Sequence, residues 1–405
     1  MEDTPRGRPS RRQMLLGSAV AGWGAALALG TDAVASGATP TPPQPSPPED
    51  AHGSVTIPFH GPHQAGIAIE PQARSTFLAL DLLPATDRDG LRRLLRLLSD
   101  DAARLTQGRP ALADSEPELA ARPARLTVTF SVGPAVVALA GRAVPDWLAP
   151  LPPFGIDRLQ EAWSGGDLVL EVASDDDLTL AHAVRMLLKD ARAFATLRWV
   201  QAGFRHAHGS QPSGTTMRNL FGQKDGTVNL VPGTADFESL VWRTDGWLAG
   251  GSSLVIRRVA MDLDTWDELD RPGREASVGR TLATGAPLTG TAEHDEPDLE
   301  ALDAVGFPVI SDVAHLRRAR SEDPTQRFFR RGYNYDDPPS AGAISNAGLI
   351  FTSYQADPVR QFVPIQQRLD ELDLLNEWTT PIGSAVLAVL PGCAEGGYVG
   401  ETLLV

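Results

Sequence analysis

Helical and strand periods alternate along this chain, and the same order of elements comes twice. In the first half, residues 76–83 are an apolar strand-like run, and Leu91, Leu94, Leu95, Leu97 and Leu98 mark an amphipathic helix. Residues 126–132 alternate as a strand, a short Ala/Val-rich helix follows, 168–172 is another strand and 180–193 a second long helix. In the second half, 253–261 reads as a strand, 265–279 as helix, 349–354 as strand, 359–372 as helix and 385–390 as strand. The Thr-, Asp- and Glu-rich stretch 285–307 has no period and reads as a loop. A helix with one apolar stripe and a sheet with one apolar face each need a covering partner, so the chain must stack helices on sheets. Two β-α-β-β-α-β units do this as two ferredoxin-like domains, each with an antiparallel sheet: an α+β fold. The halves share no sequence identity, so the duplication rests on element order alone.

Everything before this folded part reads as an address and a spacer. Ser10, Arg11 and Arg12 precede Met14, Leu15 and Leu16; an Ala- and Gly-rich apolar stretch runs to Gly30, and Ala33-Val34-Ala35 offers a small-residue cleavage site. This is the layout of a twin-arginine export signal, and its core is short of the ~20 strongly apolar residues of a stable membrane span. The expected location is therefore outside the cytoplasm: extracellular, periplasmic or in the cell envelope. TPTPPQPSPPE is an extended linker. The expected divisions are a signal at 1–35, a linker at 36–55, an N-terminal domain at 56–215 and a C-terminal domain at 216–405.

Charge and cysteine usage narrow the partners. A net charge of −15 argues against nucleic acid or an anionic membrane surface, both of which need clustered Lys and Arg. The single cysteine, Cys393, has no partner for an internal disulfide and no cluster for zinc or iron–sulfur binding. A chain without disulfides suits a route that exports proteins already folded.

Four stretches carry groups capable of chemistry. FGQKDGTVNL sets Asp225 between Gly222 and Gly226, which as a bare pattern is a surface turn, although the glycines also let backbone approach a flat ligand. SDVAHLRRAR holds His315, FFRRGYNY holds Arg330 and Arg331, and LLNEWTTPIG holds Glu377; singly these read as a surface histidine, snorkelling arginines and a solvated acid. His206 and His208, like His60 and His63, read as loop residues. No GxSxG elbow, Walker loop or dinucleotide fingerprint is present. Haem peroxidase chemistry needs an axial ligand, an acid/base group that moves a proton between peroxide oxygens, and a cation for the departing oxygen. His315, Asp225 and Arg330 supply one of each, and the lack of CxxCH means any haem would be held without thioether bonds.

GQKDGTVNL resembles the GxxDG motif of the dye-decolourising peroxidases, and the likeness continues in order through SLVIRRVAMDLDTWDEL, HLRRAR, RRGYNY, GLIFTSYQADPVRQFVPIQQRL and PGCAEGGYVGETLLV. HQAGI, with PQ following, resembles the family's N-terminal segment, so the resemblance covers about residues 56–405. It implies a fold of the dimeric α/β-barrel type, a homodimer, one non-covalent haem b per chain and, for exported members, the twin-arginine machinery as a partner. It further implies that Asp225 is the distal aspartate, His315 the axial ligand to iron, and Arg330 the distal arginine, with Arg331 the alternative one position on. Gly226 and Thr227 would contact the cofactor, Leu349 and Phe351 would line the peroxide side, and Glu377 would accept the proximal imidazole N–H. Asn229-Leu230 departs slightly from the motif's usual Asn-Pro ending. The implied activity is reduction of hydrogen peroxide and oxidation of dyes or phenolic compounds through a ferryl state, with electrons from large reductants relayed by surface Trp or Tyr. The alternative is an exported, deferrochelatase-like haem-binding protein that handles haem or iron without turnover. An aspartate base, with a reference pKa of ~3.9 against ~6.5 for histidine, would favour acidic working conditions.

Overall fold

The computed structural model describes residues 52–339 and 341–405. The export signal and most of the linker lie outside the described residues. The chain is hydrogen-bonded to the first half from 53 on: Ala124 N donates to Gly53 O at 3.0 Å and Arg125 N to Val55 O at 2.8 Å.

The strands are β1 (Arg74–Leu82), β2 (Thr127–Val132), β3 (Leu168–Ser174), β4 (Ala195–Phe204), β5 (Ser252–Met261), β6 (Phe329–Arg330), β7 (Tyr333–Asp336), β8 (Ala347–Gln355) and β9 (Thr379–Val389). The helices are α1 (Arg88–Leu105), α2 (Pro134–Leu139), α3 (Asp177–Ala191), α4 (Ala235–Val241), α5 (Leu263–Asp267), α6 (Arg271–Val278), α7 (His315–Ala319), α8 (Pro358–Leu372) and α9 (Glu401–Leu404). Hydrogen bonding orders the sheet β5-β9-β2-β3-β1-β4-β7-β8, and β8 pairs back onto β5, so the sheet closes into a barrel; β6 shares the β7 edge of β8. The first half supplies the order β2-β3-β1-β4 and the second β9-β5-β8-β7, the same antiparallel ferredoxin-like arrangement twice.

The halves join at two narrow seams, Ser131–Val132 against Ala388–Val389 and Phe204 against Asn334. Gln64 fills the first seam. Its Nε2 donates to Phe130 O at 2.9 Å and Leu390 O at 2.8 Å, and its Oε1 accepts from Phe130 N at 2.7 Å. The HQAGI segment thus serves the fold by satisfying backbone groups that the short pairing leaves over.

Side chains alternate across the barrel wall. Phe77, Val169, Leu254, Ile256, Tyr333, Ile350, Tyr354 and Leu387 fill the interior. Leu78, Leu80, Phe130, Leu168 and Leu170 face outward under α1 and α3. Leu91, Leu94, Leu95 and Leu98 of α1 are fully buried there, and each such side chain contributes about 2 kcal/mol. Both helices begin on aspartate caps, Asp87 accepting from Gly90 N at 2.7 Å and Asp176 from Thr179 N at 2.8 Å.

Strand β4 was not among the expected elements. It lies at a seam with alternate residues exposed, including Leu197 and Val200, so its run lacks the apolar density of its neighbours. The helix expected over 265–279 is two short helices, divided where Asp270 caps α6 by accepting from Gly273 N at 2.9 Å. Residues 285–307 contain no helix or named strand, in keeping with the loop expected there.

Asp101 of α1 and Asp190 of α3 face one another between these packed helices. Burial, reinforced by the neighbouring Asp101 carboxylate, pushes the Asp190 carboxyl up to about 8. Its buried Oδ2 has no hydrogen-bond partner unless it carries a proton, which Asp101 can then accept. The folded chain holds this proton up to about pH 8, whereas the unfolded chain releases it in the ordinary carboxylate range. The stability it contributes is therefore full at low pH and is lost as pH rises through 8. Melting temperatures of Asp190→Asn should decline less than wild type between about pH 6 and 9; parallel declines would exclude the shared proton.

Candidate active site

The site lies on the outer face of the second half-sheet. Leu349 and Phe351 of β8 point outward and pack with Met217, Phe221, Met261 and Trp266. Residues 217–225 fold back on themselves: Asp225 N donates to Met217 O at 2.8 Å, and Arg218 bridges to Lys224. The Asn219 side chain accepts from Phe221 N and Gln223 N at 3.1 and 3.2 Å. Gly222 and Gly226 take positive φ of 79° and 115°, backbone that a side chain would strain. The motif is thus a rigid loop and its Phe221 anchors it in the wall beside Leu349.

This loop aims Asp225 at Arg330. Arg330 Nη1 donates to Asp225 Oδ1 at 3.1 Å, and both side chains are only partly exposed. Asn229 fixes the geometry from the backbone side: its Nδ2 donates to Arg330 O and its Oδ1 accepts from Arg330 N, each at 2.8 Å. Sequence reasoning quoted Asn229 without giving it a role, because only tertiary contact brings it to residue 330.

Strand alternation separates the two arginines. Phe329, Arg331 and Tyr333 face the barrel interior while Arg330 faces out. Arg331 is fully buried, with Nη2 donating to Gln72 Oε1 at 2.8 Å and Nη1 to Ile69 O at 2.5 Å. It does not reach the Asp225 recess, and the alternative of Arg331 as the distal or cofactor-contacting arginine is withdrawn.

His315 opens α7. Its Nδ1 bonds Asp373 Oδ2 at 2.5 Å, and Asp373 is itself held where α8 ends, accepting at Oδ1 from Leu375 N at 3.0 Å. Leu374 N donates to Val313 O at 2.9 Å and ties the two segments together. The acid beside the imidazole is therefore Asp373 and not Glu377. Glu377 ends the following 3-10 turn with its side chain exposed. Both acids follow α8 within one short stretch, and the signal that favours Asp373 is its cap position. Burial works against a charged imidazole here, but Asp373, aided by Asp225 and opposed by Arg330, carries the His315 pKa above the ordinary histidine value. Asp225 and Arg330 both act electrostatically on this ring, so the two assemblies are neighbours. With Nδ1 bonded to the Asp373 carboxylate, Nε2 is the ring nitrogen left for ligation.

The 285–307 loop closes one edge. Thr227 Oγ1 donates to Glu293 Oε1 at 3.1 Å, Lys224 pairs with the same carboxylate, and Arg280 Nη1 holds Glu293 O at 2.9 Å. Gly226 lies between these anchored residues. Glu293 carried no signal in the sequence, since it sits in a stretch without period.

A carboxylate-braced histidine neighbouring a carboxylate–guanidinium pair is the equipment of a peroxidase. The comparisons name the family. Residues 64–205 match the model described as "Dyp-type peroxidase, N-terminal" and residues 216–394 that described as "Dyp-type peroxidase, C-terminal". A dye-decolorizing peroxidase of Thermobifida fusca is 38% identical over 359 residues, covering 84% of this chain and 83% of that protein. A deferrochelatase of Yersinia pestis is 34% identical over 420 residues, covering 98% and 95%. The crystal structure of a DyP-type peroxidase from Cellulomonas bogoriensis superposes with a TM-score of 0.85 at 57% identity, covering 87% of this chain and 99% of that one. DtpA from Streptomyces lividans, in an oxyferrous complex, gives 0.85 at 40% identity, covering 89% and 100%. The chain belongs to the Dyp-type peroxidase family and is a peroxidase, an oxidoreductase acting on peroxide.

The reciprocal Asn229 contact predicts that Asn229→Ala destabilises the fold by about 1–3 kcal/mol, because it leaves the Arg330 amide and carbonyl unpaired. Chemical denaturation measures this; a loss below a few tenths would mean water replaces the amide freely.

Proposed function

We propose that this chain is an exported haem b peroxidase that reduces hydrogen peroxide at the expense of dyes or phenolic reductants. The observation that carries the reading is the presence of two neighbouring assemblies: His315 braced by Asp373, and Asp225 locked to Arg330. The residues fit a non-covalent haem. One imidazole is bonded at Nδ1 and keeps Nε2 for a ligand, and the wall at Leu349 and Phe351 is apolar enough to accept a porphyrin. Gly226 leaves the backbone open, with nothing closer than 3.9 Å to where its Cβ would stand.

Bound haem supplies the redox-active iron at which peroxide is reduced. His315 would hold it through Nε2, and Asp373 would keep the opposite imidazole proton, strengthening the ring as a donor. Asp225 takes the proton from the inner peroxide oxygen and returns it to the outer one. Arg330 stabilises the negative charge that develops on the departing oxygen. Leu349 and Phe351 keep bulk water from the reacting atoms. Two electrons and two protons in all convert peroxide to two waters, and the reductant supplies the electrons singly.

His315→Ala should lose tight haem retention, read as the absorbance of the purified protein; full occupancy would overturn the axial assignment. Arg330→Leu should keep haem while slowing rapid-mixing peroxide activation by about 10²–10³. Asp225→Asn should slow the same step by about 10²–10⁴. A wild-type protein that binds haem yet releases iron and accumulates free porphyrin without consuming peroxide would favour a deferrochelatase-like role.

Export by the twin-arginine route is supported by Ser10-Arg11-Arg12 and the apolar stretch after it, and a homodimer by the family resemblance. Replacing both Arg11 and Arg12 by Lys should retain the protein in the cytoplasm, as cell fractionation would register; unchanged export would remove the signal assignment. Sedimentation of the exported product gives the oligomer, and a monomer would exclude the dimer.

A further inference from the structure

Three side chains far apart in the chain meet on the N-terminal half: His52 in the first described turn, Asp175 directly after β3, and His208 in the loop after β4. His52 Nε2 lies 2.8 Å and His208 Nδ1 3.7 Å from Asp175 Oδ2. One donor atom from each residue falls within 4.8 Å of the others. The Asp175 side chain is 2% exposed, and its Oδ1 is occupied by Ala73 N at 2.7 Å, so only Oδ2 faces the two imidazoles. His52 and Asp175 border a recess of about 460 Å³ that Glu118, Arg122 and Asp176 also line.

We propose that this trio is a site for a borderline divalent cation of the Zn²⁺ class. Two imidazoles and one carboxylate form the mixed nitrogen and oxygen set that such ions prefer, with a fourth position left for water, whereas Ca²⁺ and Mg²⁺ seek all-oxygen shells. The rings stack with centroids 3.4 Å apart and planes at 10°. Ligation takes the neutral imidazole, so a metal that binds here displaces any proton from the ligating nitrogens. Parallel planes cannot both aim a lone pair at one ion. A turn of the His208 ring, whose side chain is 46% exposed, brings its nitrogen round.

Local charge favours a cation. Arg125 Nη1 also donates to Asp175 Oδ2, at 3.0 Å, and takes one of its two lone pairs. The Glu70 carboxylate feels both Arg125 and His208, so Asp175 and Glu70 together outweigh the Arg125 charge before any metal arrives. Because the ligands come from residues 52, 175 and 208, a bound ion clamps the first described turn onto the barrel. Residues 64 and 72, which serve the seam and Arg331, follow directly from that clamp. The expected consequence is stability of the fold, with peroxide chemistry untouched.

The test uses untagged, haem-loaded full chain, stripped with EDTA and desalted, with Zn²⁺ titrated against a chromophoric chelator. Wild type should take one Zn²⁺ per chain in addition to iron and melt at a higher temperature when loaded. His208→Ala and His52→Ala should bind at least about tenfold more weakly and lose the thermal gain, with the haem absorbance in the same samples reporting that they are folded. A wild type that fails to compete with the chelator, or variants that bind as it does, would overturn the proposal.

Discussion

A closed sheet has two faces, and neighbouring residues on a strand must point to opposite ones. In this protein that constraint divides a packed interior from a reactive exterior at a single step of the chain. Arg330 leaves the wall toward Asp225, and Arg331 enters the barrel. Inside, Tyr354 donates to Glu171 at 2.6 Å, and burial lifts the Glu171 carboxyl above its ordinary range, with Arg331 pulling in the other direction. A buried charge without a partner would be strongly destabilising, so Arg331 and its contacts to Gln72 and Ile69 belong to the fold. A shift of one residue in the pairing of β6 with β8 would exchange the two guanidinium groups and empty the site.

Closure of the barrel depends on two short seams, and the first is completed by a segment that precedes every strand. Gln64 satisfies backbone from both halves at once, which makes the early chain part of the wall. The outer faces are then used differently. Helices α1 and α3 are long and lie directly on the first half-sheet, sealing it with leucine. The second half-sheet is covered by the short helices α5 to α7, by α8 and by the 285–307 loop, with Leu349 and Phe351 packed beneath the Asp225 loop. Topological duplication thus produced one face for stability and one for chemistry.

Most strands and the three long helices could be read from period alone, as could the α+β class and the order of elements. β4 escaped because a strand at a seam, open to solvent on alternate residues, carries too few apolar side chains. Asp225 and His315 were legible as chemical types, and the ordered motifs around them implied their roles. Asn229 and Glu293 were not legible as partners, since the distances that matter join residues about a hundred and about seventy positions apart. The Asp373 for Glu377 exchange is of the same kind. Both acids suit a histidine, and only the direction in which α8 ends selects one.

The sequence by itself determined which surfaces had to be buried and which residue types were available for proton transfer and ligation, because periodicity and side-chain chemistry are local properties. Tertiary structure alone decided which arginine meets Asp225, which carboxylate braces His315, and that histidines 52 and 208 share one aspartate. Those outcomes follow from strand register and barrel closure, and both are set by contacts between segments that no local pattern relates.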